Sequence, residues 1–136
     1  MRRCAPTRRG VAAVEFAIVV PIFVLLVFGL IELGRSFMVQ QILTNASREG
    51  ARRAIIEGST TTEVKNLVGD YLGATSVSSG YTVTVSPNIT PALGLGDPIT
   101  VSVSVPYSAV SWMPSAWWMG GATMSATSTM RVERPQ

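Results

Sequence analysis

The sequence has 136 residues, a net charge of +3, one cysteine and no histidine. Four of its eleven basic residues lie in the first ten positions; the rest of the chain carries 7 − 8 = −1, which excludes a broad basic surface for nucleic acid. The single Cys4 excludes an intrachain disulfide, and the lack of histidine removes the commonest general base and metal ligand.

Residues 1–10 read as a basic leader with Arg2, Arg3, Arg8 and Arg9 and no acidic residue. The 21 residues from 11 to 31 contain one charge, Glu15. At about 1.5 Å per residue they make roughly 32 Å of helix, the thickness of a bilayer core. No small-residue cleavage site follows the run, so residues 11–33 are expected to stay as a transmembrane helix in the lipid bilayer. The arginines before it place the N-terminus in the cytoplasm and the later residues outside.

Glu15 is costly in hydrocarbon unless it has a partner. One reading leaves it at the headgroups of an uncleaved helix. The other uses its spacing from Gly10: a cut between Gly10 and Val11 makes Glu15 the fifth residue of the mature chain. The new α-amine, cationic below a pKa of about 8, then lies one helical turn from a carboxylate on its own or a neighbouring helix. Pro21 removes an amide donor within the span, either as a tolerated membrane proline or as a point of flexibility.

Residues 34–57 contain no proline and carry a broken apolar stripe through Phe37, Met38, Ile42, Ala46 and Ile55, so the helix is expected to continue beyond the membrane. Arg48, Arg52 and Arg53 form a charged face in which Glu49 is three or four residues from Arg52 and Arg53.

The stretches GVAAVEFAIVVP, FGLIELGR and ASREGARRA together resemble the TadE-like family, the minor pseudopilins of tight-adherence (Flp) type IV pilus systems. The resemblance implies removal of the leader by a prepilin peptidase, with Gly10 and Val11 as the processing site and Glu15 setting the register of packed helices. It also implies an inner-membrane location. The implied partners are that peptidase, other minor pseudopilins or the major pilin, and an inner-membrane assembly platform.

Residues 58–136 read as a small extracytoplasmic α+β domain. Thr60 and Glu63 fit a capping box, and Val64, Leu67, Val68, Tyr71 and Leu72 follow at helical spacing. Residues 81–86, 99–105 and 122–133 alternate with a period of two, giving three strands, with a long hairpin connection at 87–98. A mainly antiparallel sheet covered by the short helix and the distal end of the long one is the simplest assembly. Residues 106–121 hold Trp112, Trp117 and Trp118, which either close over the sheet or form an apolar partner surface. No cofactor, metal or catalytic constellation is legible, and the expectation is a non-enzymatic assembly protein. The competing reading is an uncleaved single-span envelope scaffold.

Overall fold

A computed structural model of the chain describes residues 8–90, 93–111 and 121–132. Its elements in order are α1 (Arg8–Ala54), α2 (Thr61–Gly73), β1 (Thr82–Ser86), β2 (Pro98–Pro106), α3 (Tyr107–Val110) and β3 (Thr123–Arg131). This is the expected α+β class: a long apolar N-terminal helix, a shorter helix and a three-stranded antiparallel sheet. The chain divides into two compact units, Met1–Gly34 and Arg35–Gln136. In the first unit α1 stays helical through Pro21.

In the second unit, α1 ends where local chemistry closes its last carbonyls. Gly58 adopts φ +76°, a left-handed conformation that suits glycine. The Ser59 hydroxyl then donates to the Arg53 carbonyl at 2.7 Å. Thr60 starts α2 two residues later through a complete capping box. Its hydroxyl accepts from the Glu63 N–H at 3.2 Å, and the Glu63 carboxylate accepts from the Thr60 N–H at 3.0 Å. The same carboxylate lies 3.7 Å from the Arg53 guanidinium, so the cap of α2 is also tied to the end of α1.

The strands follow their alternation. In β2, Ile99, Val101, Val103 and Val105 are fully buried, while Thr100, Ser102 and Ser104 face the other way. The register sets Val83 against Val103 and Val85 against Val101 on one side of β2, and Ala126 against Val103 on the other. The sheet order is therefore β1-β2-β3, with one apolar face. The opposite face is a grid of hydroxyls: Thr82, Ser104 and Ser125; Thr84, Ser102 and Thr127; Ser86, Thr100 and Thr129. Cross-strand hydroxyl contacts at 2.9 Å (Thr100–Thr129) and 3.0 Å (Ser102–Thr127) link its rows.

Helices α1 and α2 cover the apolar face. The buried side of α1 consists of Val39, Leu43, Ala46, Ser47, Gly50, Ala51 and Ala54; of the expected stripe, Ala46 is buried, Ile42 packs beside the core and Ile55 is half-buried, and the correction falls on Phe37 and Met38. Phe37 and Met38 point outward, 67% and 57% exposed. The physical reason is clearance. A Cβ at Gly50 would lie 2.7 Å from a methyl of Val68 on α2 and 3.1 Å from a methyl of Val101 on β2. Around Gly50 a large side chain has no room, so the buried side there is made of Ala46, Ser47, Ala51 and Ala54, while Val39 and Leu43 fill the earlier part of the same side. Of the five residues expected at helical spacing on α2, Val64, Val68 and Leu72 complete the core, Leu67 is half-buried and Tyr71 is exposed, a correction to the expected face.

Two mutations test this packing. Gly50→Ala improves helix propensity by about 1 kcal/mol but forces a methyl against two branched side chains, an overpacking cost of about 1–3 kcal/mol. A lower melting temperature than wild type is expected in thermal denaturation of the detergent-solubilised protein. Thr60→Ala should cost about 1 kcal/mol by the same measurement, because it leaves the Glu63 N–H without its acceptor.

Candidate functional site

The residues singled out in the sequence fall on α1, and each of its two parts offers different chemistry. Gly10, Val11 and Glu15 lie in its first turns and are exposed. Val11 and Glu15 are one turn apart, on the same side of the helix. Around them the apolar side chains point outward without protein neighbours: Phe16 is 69% exposed, Ile22 63% and Leu25 67%. A helix exposing this much apolar surface needs lipid or other helices around it. Among the described residues, α1 is the one helix long and apolar enough to cross a membrane.

Beyond Gly34, α1 becomes a docking rail for the sheet. Arg35 donates from Nε to the carbonyl of Val110 at the end of α3. The Ser36 hydroxyl meets the Tyr107 hydroxyl at 3.4 Å, and Gln40 Nε2 donates to the Ser125 carbonyl at 3.0 Å. Arg35, which by sequence is only a charge flanking the span, therefore holds an element 75 residues away. Nothing in its local sequence signals that partner. The four-residue α3 is likewise absent from the sequence expectations; it rests on two buried side chains, Tyr107 and Val110, rather than on local propensity.

The charged face sits on the back of the same helix. Arg52 makes a paired contact with Glu49, Nε to Oε2 at 3.2 Å and Nη2 to Oε1 at 3.1 Å. That hydrogen bond, reinforced by charge attraction, raises the pKa of Arg52 above its ordinary value, so the guanidinium stays cationic. Arg53 pairs across to Glu63 instead of Glu49, which separates two arginines that sequence spacing treats as equivalent. Asn45, Arg48, Glu49 and Arg52, with Tyr71 and Met130, line an open depression of about 510 Å³. Trp112, Trp117 and Trp118 lie outside the described residues.

Arg35→Leu should lower stability by about 1–3 kcal/mol, the range for losing a hydrogen bond to a charged group, because the Val110 carbonyl loses its donor. Arg52→Ala should leave the melting temperature unchanged, since both partners of its ion pair are in solvent. Parallel thermal melts of the two variants separate a docking arginine from a surface one.

Comparison with curated proteins and comparison with solved structures each return no match to the chain. A family model does match: the TadE-like protein family, over residues 10–52. The matched segment begins at Gly10, includes Glu15 and the apolar run, and ends two residues after Gly50, where α1 is wedged between α2 and β2. Across residues 10–52, which are nearly all of α1, the chain is consistent with a TadE-like protein.

Proposed function

We propose that the protein is a membrane-anchored minor pseudopilin of a Flp/Tad-type adhesion pilus system, acting by helix packing rather than catalysis. The observation that carries this reading is the coincidence of the family match with an exposed apolar helix bearing Gly10, Val11 and Glu15 in register. The leader faces the cytoplasm, and a prepilin peptidase cuts after Gly10. The freed amine of Val11 then pairs with Glu15 of the same or a neighbouring helix. In lipid, that pairing offsets the cost of burying the carboxylate and fixes the axial offset of adjacent subunits. Other minor pseudopilins, the major pilin and the inner-membrane platform are the partners.

One observation favours a second reading, an uncleaved single-span scaffold. Helix α1 runs from Arg8 through Gly10 without interruption, so Arg8, Arg9 and the span form one element. In that case Glu15 sits near the headgroups and no α-amine is present beside it.

The experiment is the intact mass and N-terminal residue of the protein isolated from its own membranes, with and without the peptidase. A peptidase-dependent start at Val11 is expected; an intact leader in both strains would establish the scaffold. Glu15→Ala should insert normally and lose pilus assembly, read as surface piliation beside unchanged membrane levels. Normal piliation in that variant would sink the pairing role.

A further inference from the structure

We infer that Phe37 and Met38 lie in the interfacial layer of the bilayer, so that lipid contact continues past Gly34 on one side of α1 and the second unit meets the headgroups with its α3 end. The inference rests on the reading of α1 as a membrane span and holds whether or not the leader is cut. It moves the lipid boundary on that side beyond residue 33, where the sequence alone places it.

The two sides of α1 differ at this level. Arg35 holds the Val110 carbonyl, Ser36 meets the Tyr107 hydroxyl, Gln40 holds the Ser125 carbonyl, and Val39 is buried. At about 100° per residue, Phe37 and Met38 point roughly opposite to these four. Both are exposed. They are therefore the outward half of a helical turn whose inward half is already packed.

Their neighbours along the helix indicate what they face. Phe37 continues the row of Leu26, Leu30 and Leu33, and Met38 follows Ile31 two turns on, all of them exposed. Beyond Met38 the chemistry changes. The next exposed positions of α1 are Gln41, Arg48 and Arg52, and no apolar side chain of the helix is exposed again before Ile56. The exposed apolar surface is thus continuous with the span and stops at Met38.

Length agrees with lipid as the partner. The 28 residues from Val11 to Met38 make about 42 Å of helix at about 1.5 Å per residue. A hydrocarbon core is about 30 Å thick, and a bilayer with its interfacial regions about 40–45 Å. The last turn of the run accordingly falls in the interfacial layer rather than in hydrocarbon. A specific protein interface covers roughly 800 Å² on each partner, far more than two side chains supply, whereas these two complete a surface that already faces lipid.

The packed side brings the α3 end to the same depth. Val77, Tyr107 and Val110 share a core cluster with Val39. The segments that carry them, 74–80 and 107–111, contain no Asp, Glu, Lys or Arg. Arg35, the charged residue of α1 at this level, donates to Val110. Segments without ions can approach a headgroup layer without the cost of stripping water from charges.

The test uses the full chain with Cys4→Ser, reconstituted at high dilution in phosphatidylcholine vesicles. Leu25→Cys, Phe37→Cys, Met38→Cys, Arg48→Cys and Ser108→Cys each carry an environment-sensitive fluorophore. Quenching is read with lipid nitroxides placed near the headgroup or near the chain end, and with aqueous iodide. The Phe37→Cys and Met38→Cys labels should emit to the blue of the Arg48→Cys label and lose fluorescence to the headgroup-proximal nitroxide rather than to iodide. The Ser108→Cys label, on an exposed position of α3, should respond to the same nitroxide while Phe37 and Met38 are intact. Adding Phe37→Gln and Met38→Gln should turn its response over to iodide. The inference is overturned if iodide reaches the Phe37→Cys and Met38→Cys labels, or if neither quencher does, which would mean that protein covers them. It is also overturned if the Ser108→Cys label responds to iodide alone or is unmoved by the double substitution. Leu25→Cys separates this inference from the span on which it rests: quenching there by the chain-end nitroxide leaves the span standing whatever happens at Phe37 and Met38, whereas exposure to iodide removes both.

Discussion

The second unit depends on one close approach, that of α1 to β2 and α2 at Gly50. A helix normally stands off a sheet by the length of its side chains, yet here a single added carbon would touch Val68 and Val101. Ala46, Ser47, Ala51 and Ala54 extend the same low profile along the helix. With α1 seated this low, α2 reaches β1 and the valines of β2 lose all solvent contact. The burial of those valines supplies the hydrophobic stabilisation that a small domain has little surface to provide otherwise.

The consequence for function is a division of labour within one helix. Before Gly34, α1 displays apolar side chains to whatever surrounds it, with Glu15 as the charge among them. After Gly34, it is part of a core and carries the polar ties to α3 and β3 through Arg35, Ser36 and Gln40. The family match spans both stretches, from Gly10 to just past the packing contact at Gly50. One helix, Arg8–Ala54, carries both the exposed apolar stretch and the packed one.

Local features were legible in the sequence. The capping box at Thr60 and Glu63 defines the start of α2, and period-two alternation locates all three strands to within a residue or two. What escaped was tertiary in origin. The inner face of α1 combines Val39 and Leu43 with small residues around Gly50, while Phe37 and Met38, on the other side of the helix, mislead a search for an apolar stripe. The partners of Arg35 and Arg53 are chosen by how the chain returns, and α3 exists because Tyr107 and Val110 are buried. For the candidate site, the spacing of Gly10, Val11 and Glu15 is readable because it lies within a turn or two of helix. That the distal end of α1 covers the sheet is expected from the sequence, but its particular bonds are not readable, because they join residues 71 to 85 positions apart.

The hydroxyl grid on the outer face of the sheet has a consequence of its own. Its nine side chains are all serine or threonine, three from each strand, and Arg131 stands at one corner. Hydroxyls hold water by hydrogen bonds and have no charge for salt to screen or for a change in acidity to cancel. A carboxylate- or lysine-covered face would swell, shrink or turn adhesive as brine replaced fresh water. This one, apart from Arg131 at its corner, offers neither salt nor acidity a charge to act on.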